Sequence, residues 1–183
     1  MIIKIENDMK RLITRILLLT VAILAVACNK EPIPSITPEE LLKDASKVAT
    51  TEIDLKGDKA DAITDFATAT VYRKSDIAGQ SWLSAWSGGT MVYDIFYLSI
   101  HFQNIERMKI GETLKPSRFS FSFPASSDSG NYTQEYRGKI TLAGKGDDYV
   151  ILEFHNVSCS CTMGDYITNG YLYCTLEDTY TLD

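Results

Sequence analysis

Apolar and polar residues alternate with a period of two through most of this chain, and that period predicts strands. Phe66 to Tyr72 forms one such stretch, and Gln80 to Trp86 another, ended by Gly88-Gly89. From Met91 to Phe102 the alternation is cleanest. Val92, Phe96, Leu98, Ile100 and Phe102 share one face, with Tyr93, Tyr97, Ser99 and His101 on the other. A strand so patterned is buried on one side and half-wet on the other. Phe119, Phe121 and Phe123 alternate with serines by the same logic, and Pro124 to Gly130 is a loop. Tyr132–Tyr136 and Lys139–Leu142 flank a turn expected at Arg137-Gly138, and Gly144 to Asp147 links to the next strand. In the closing hairpin, Val150, Leu152 and Phe154 form one apolar set and Leu172, Cys174 and Leu176 another. Facing residues share a side of a sheet, so Phe154 is expected opposite Leu172, Leu152 opposite Cys174 and Val150 opposite Leu176. That register opposes Cys161 to Asp165 and leaves Thr162-Met163-Gly164 as a three-residue loop.

The period breaks only near the N-terminus. Thr37-Pro38-Glu39-Glu40 has the form of a capping box with proline at the first helical position. Leu41, Leu42, Ala45 and Val48 follow at helical spacing, so one short helix is expected to about Val48. Thr50 to Leu55 has strand composition and Gly57-Asp58-Lys59 is a turn. Strands spaced this closely without intervening helices point to an all-β fold. The expectation is an antiparallel two-sheet β-sandwich with one short N-terminal helix. An eight-stranded lipocalin-like barrel is the alternative.

Before the helix, Lys10, Arg11 and Arg15 form a positive region ahead of an apolar run, Ile16 to Ala27, broken only by Thr20. That is the layout of a secretory signal peptide, and the run is shorter than the ~20 residues of a membrane-spanning helix. Glu6 and Asp8 lie upstream, where signal peptides avoid acids, so Met9 is the expected start. Leu24-Ala25-Val26-Ala27-Cys28 resembles the lipobox of bacterial lipoproteins, with Ala25 where leucine is usual. The resemblance implies cleavage before Cys28, acyl chains on that cysteine and attachment to the membrane through them. Each buried methylene contributes ~0.8 kcal/mol, so two or three chains hold firmly. Asn29, in place of an inner-membrane retention aspartate, implies the outer membrane. The expected organisation is a signal peptide at 1–27, a lipidated tether at 28–37 and a single domain at 38–183. With its short polar tether, and with Gly138-Lys139-Ile140-Thr141-Leu142 and Ile167-Thr168-Asn169-Gly170-Tyr171 near its end, the chain resembles small β-sandwich lipoproteins of Bacteroidota that lack an assigned function.

Charge narrows the classes. Removing 27 of 183 residues leaves 156, enough for one domain. The removed segment holds four of the 18 basic residues and two of the 24 acidic ones, which takes the formal charge from −6 to −8. So acidic a domain repels phosphate backbones, and no nucleic-acid partner is expected.

With Cys28 lipidated, Cys159, Cys161 and Cys174 remain of four cysteines. The expected register puts Cys174 in the core as a free thiol, and Cys159 and Cys161 half-exposed on the opposite face. A Cys159–Cys161 bond would span roughly 6.6 Å between Cα atoms, at the limit of disulfide geometry. His155 and Cys159 lie roughly 13 Å apart along a strand, too far for one metal ion, so no metal and no cofactor is implied. His101 and His155 are the only histidines, and no nucleophile-elbow pattern accompanies them. Trp82 and Trp86 share a strand face about 13 Å apart. Tryptophan's buried area makes both core residues in the first instance; exposed, they form a stacking platform for a ligand. These features imply a non-enzymatic binding module for a glycan, peptide or protein partner. A fimbrial-type structural subunit and a lipocalin-like carrier of small apolar ligands are the alternatives.

Overall fold

Hydrogen bonding between strands runs without a break across this domain, and that continuity sets its architecture. The computed structural model describes residues 33–55, 62–88, 96–122, 136–160 and 164–179. The chain divides into Met1–Pro34 and Ser35–Asp183, and the second unit holds the strands. They are β1 (Thr50–Leu55), β2 (Ala62–Lys74), β3 (Gln80–Ser87), β4 (Tyr97–Gln103), β5 (Pro116–Ser122), β6 (Arg137–Lys145), β7 (Tyr149–Ser160) and β8 (Gly164–Thr179). Their order in space is β5-β4-β3-β2-β1-β8-β7-β6, one eight-stranded sheet curled into a half-barrel. The protein is all-β with one short helix. Two separate sheets, as in a sandwich, do not form, because β1 joins β2 on one side to β8 on the other. The strand count and meander order are those of the barrel alternative.

Closure depends on strand length. β1 has only six residues. Past its N-terminal end β2 and β8 meet directly in parallel, Thr70 opposite Thr175 and Lys74 opposite Thr179. The gap between β5 and β6 is bridged by the segment ahead of β5. Gly111 N–H donates to Leu142 O at 2.7 Å, Leu142 N–H to Glu112 O at 2.9 Å and Leu114 N–H to Ile140 O at 2.8 Å. The inner face is filled by side chains, the largest being Tyr166, Phe96, Phe102, Phe121 and Phe154. Near the Lys74 end of β2, Ile105 is buried from a 3-10 turn (Ile105–Arg107). Two cations strap this turn down. Arg73 reaches Glu106 Oε1 at 2.7 Å, Asp178 Oδ1 at 3.0 Å and Asp147 O at 2.6 Å, and Lys145 Nζ donates to Ile105 O at 2.9 Å.

The capping box is present: Thr37 N–H donates to Glu40 Oε2 at 2.8 Å, and Thr37 Oγ1 accepts from Glu40 N–H at 3.3 Å. The helix it starts, α1 (Pro38–Lys43), is shorter than expected. Asp44 ends it by capping a separate 3-10 turn, Ala45–Lys47. This fits its thin apolar stripe, since Leu41 is buried and Leu42 exposed.

Three register expectations need correction. Arg137-Gly138 is no turn but the start of β6. The β7–β8 hairpin pairs Val150 with Cys174, Leu152 with Leu172 and Phe154 with Gly170, two residues from the expected register. The apolar sets still face each other, because a shift of two preserves the side of the sheet. Beyond Phe154 the pairing slips by one: Val157 faces Thr168 and Cys159 faces Tyr166. His155 and Asn156 thus oppose Asn169 alone, which makes a β-bulge. Asn156 has a φ of 47°, and its N–H donates to Asn169 Oδ1 at 2.7 Å. Beyond the bulge the odd-numbered residues Val157 and Cys159 turn inward, so Cys159 is buried in the core and not half-exposed. The expected turn at Gly57-Asp58-Lys59, the loop Pro124–Gly130, the Met91–Ile95 part of the fourth strand, and Cys161 lie outside the described residues.

Candidate functional site

Cross-strand register arranges the outer face of β2–β5 in three rows. Thr68, Trp86, Tyr97 and Ser122 form one; Thr70, Ser84, Ser99 and Ser120 the next; Tyr72, Trp82, His101 and Arg118 the third. Two ring-bearing ridges therefore flank a trough of hydroxyls. Both tryptophans sit on this outer face, not in the core. On β3 it is Ser81, Leu83, Ala85 and Ser87 that point inward. The small inward residues have specific partners. Ser81 Oγ accepts from Ile105 N–H at 3.0 Å, and Ser87 Oγ accepts from Phe96 N–H at 2.8 Å.

Trp82 is held on both sides. Its ring stacks on Tyr72 (centroids 5.1 Å apart, 25° between planes) and on His101 (5.8 Å, 15°), while its Nε1–H donates to Ser99 Oγ at 2.8 Å. Its faces are covered, so it acts as a fixed wall. Trp86 packs against Tyr97 with centroids 4.0 Å apart and remains 39% exposed. The two indoles belong to one surface but have different environments.

Beside the Trp82 wall, where β2, β3, β4 and β8 end together, lies a pocket of about 430 Å3. It is lined by Lys74, Ser75, Asp76, Trp82, His101 and Thr179. The β2–β3 turn sets its rim. Ser75 Oγ accepts from Ile77 N–H at 3.1 Å and donates to Ile77 O at 3.1 Å, which fixes the backbone carrying Asp76. The floor is His101, only 6% exposed although it belongs to the outer face. Its Nδ1 lies 3.4 Å from Asp76 Oδ1 but makes no hydrogen bond. Arg118 Nη1 approaches the other carboxylate oxygen of Asp76 at 3.9 Å. Burial pushes the His101 pKa below the ordinary histidine value; Asp76 opposes this and Arg118 adds to it. A pocket floored by a buried imidazole and rimmed by the Asp76 carboxylate and the Lys74 ammonium can orient a hydrogen-bonding ligand through those two rim groups.

Nothing similar gathers elsewhere among the described residues. A second depression of about 440 Å3 has the exposed side chains of Arg107, Glu112 and Lys115 in its lining and no aromatic ring. His155 is exposed on β7, far along the sheet from His101. No group of three or more His, Cys, Asp or Glu able to hold a metal ion occurs among the described residues, and no helix among them is long and apolar enough to cross a membrane. Cys174 is fully buried with a free thiol 3.7 Å from Leu172 O, and burial raises its pKa far above the usual range. Sequence reasoning named Trp82 and Trp86 but missed the pocket. Its floor becomes visible only once the β3–β4 register sets Trp82 against His101. Comparisons with protein-family models, with curated proteins and with solved structures find no match to this chain.

Proposed function

We propose that the protein is a cell-envelope lipoprotein, held at the outer membrane by acyl chains on Cys28, whose all-β domain is a non-catalytic binding module. The positive region, apolar run and lipobox ending at Cys28 support the anchor. The observation that carries the binding role is the pocket lined by Lys74, Asp76 and His101, which sets a cation and an anion beside the fixed Trp82 wall. A carrier of small apolar ligands needs a hollow interior, and the aromatic side chains that fill the inner face favour the surface pocket instead. Membrane fractionation with palmitate labelling tests the anchor. The natural chain is expected in the membrane fraction and labelled, and Cys28→Ser unlabelled and released. An unlabelled natural chain in the soluble fraction overturns the anchor.

A further inference from the structure

We infer that the pocket at the ends of β2, β3 and β4 takes the terminal ring of a neutral oligosaccharide, the rings behind it lying along the β3 direction, across the hydroxyl trough, toward Trp86. This rests on the binding-module reading and names its ligand.

The lining selects by charge. A bare anion entering the pocket meets Asp76, and a bare cation meets Lys74 with Arg118 close behind. A neutral ligand rich in paired donors and acceptors avoids both conflicts. Sugar hydroxyls are such pairs. One hydroxyl donates to the Asp76 carboxylate while its neighbour accepts from the Lys74 ammonium, and the Thr179 hydroxyl serves in either sense. The volume of about 430 Å3 lies at the small end of the range for ligand pockets, room for a ring or two and not for a folded peptide.

Rigidity points the same way. Trp82 is pinned by Tyr72, His101 and Ser99, so the wall is ordered before a ligand arrives and little entropy is lost on binding. The surface beyond the pocket continues the match. The trough offers Thr70 and Ser84, both partly exposed, and then reaches Trp86 about 13 Å along the strand from Trp82. Trp86 is the exposed aromatic surface there, and the apolar C–H side of a sugar ring packs on an aromatic.

The test uses the full chain in a sugar-free detergent, with neutral hexoses, their linear tetrasaccharides, a uronic acid and short peptides as millimolar probes. Binding is read by calorimetry and by the Trp82 indole N–H resonance. A neutral tetrasaccharide that moves this resonance and binds more tightly than its monosaccharide is the expected result. Asp76→Asn, a change at an exposed rim position, is expected to weaken both sugars by about tenfold or more. Trp86→Ala is expected to weaken the tetrasaccharide and leave the monosaccharide unchanged. Response to the peptides or the uronic acid alone overturns the neutral-sugar assignment and leaves a binding module standing. Silence toward every probe overturns the sugar assignment too. Sugar binding indifferent to Asp76→Asn overturns the site.

Discussion

His101 makes the pocket floor sensitive to its neighbours. Burial holds its pKa below the ordinary value of about 6.5, Asp76 pulls it back up and Arg118 pushes it down. NMR titration of the imidazole should therefore give a midpoint below 6.5, lower still in Asp76→Asn and higher in Arg118→Gln. The consequence for folding has a definite sign. Between the unfolded and the folded pKa the unfolded chain binds the proton first, so stability falls as pH drops below about 6.5. His101→Gln should flatten that limb of a stability–pH curve measured by urea unfolding. A second residue-scale test lies in the core. Thr51 and Thr168 are fully buried, with their hydroxyl oxygens 2.9 Å apart. Thr168→Val leaves the Thr51 hydroxyl unsatisfied and should cost about 1–3 kcal/mol. The double valine variant should recover most of that, a difference denaturant midpoints resolve. Cys174 should resist alkylation in the folded chain and react on unfolding, since the thiolate is the reactive form and burial suppresses it.

At the scale of elements, the β7 bulge controls which face Cys159 and its neighbours present. Across from it Gly138 has a φ of 94°, and a Cβ there would run into the Asn156 carbonyl oxygen. Gly138→Ala should therefore destabilise by about 2 kcal/mol or more, read as a fall in thermal midpoint. The bulge was written in the chain as a change of phase. The apolar set runs Val150, Leu152, Phe154 and then Val157, Cys159, so one residue had to be absorbed between Phe154 and Val157. Alternation identified the inward faces of β4, β5 and β8, because burial on one side imposes it directly. The capping box identified the start of α1 for a similarly local reason. Pairing offsets were not readable, because a shift of two residues keeps every side chain on its own face. Trp82 and Trp86 misled for a related reason. Their size suggested core, but β4 supplies Leu98, Ile100 and Phe102 to the inner face, and its register sets Ala85, Leu83 and Ser81 of β3 opposite them, with both tryptophans on the other side. The pocket combines β2, β3, β4 and β8, so no local pattern could announce it.

For the whole molecule, one curled sheet must be stabilised at its seam and at its end. Arg73 does the second task through three partners, of which Asp178 is largely exposed and contributes little. The carbonyl of Asp147 and the carboxylate of Glu106 matter more, because they tie the Ile105 turn to β2 and to the β6–β7 connection. Arg73→Met should cost about 1–2 kcal/mol and speed hydrogen exchange at residues 105–108 before it affects β7. The entry of the chain into the sheet has a mechanical consequence. Ile36 N–H is clipped to Ala143 O at 3.2 Å, beside Gly144, where a side chain would collide with the Ile36 carbonyl. Sheet-like bonding resumes only with Ala49 N–H to Tyr171 O at 2.8 Å, just ahead of β1, which is bonded on both sides. Were the domain hung from Cys28, as proposed, tension would peel the stretch 36–48 one bond at a time and then meet a strand bonded on two flanks. The stretch 36–48, short helix included, would then be a shock absorber: fully extended it spans at most about 44 Å, at about 3.4 Å per residue, while the sheet and its pocket stay folded.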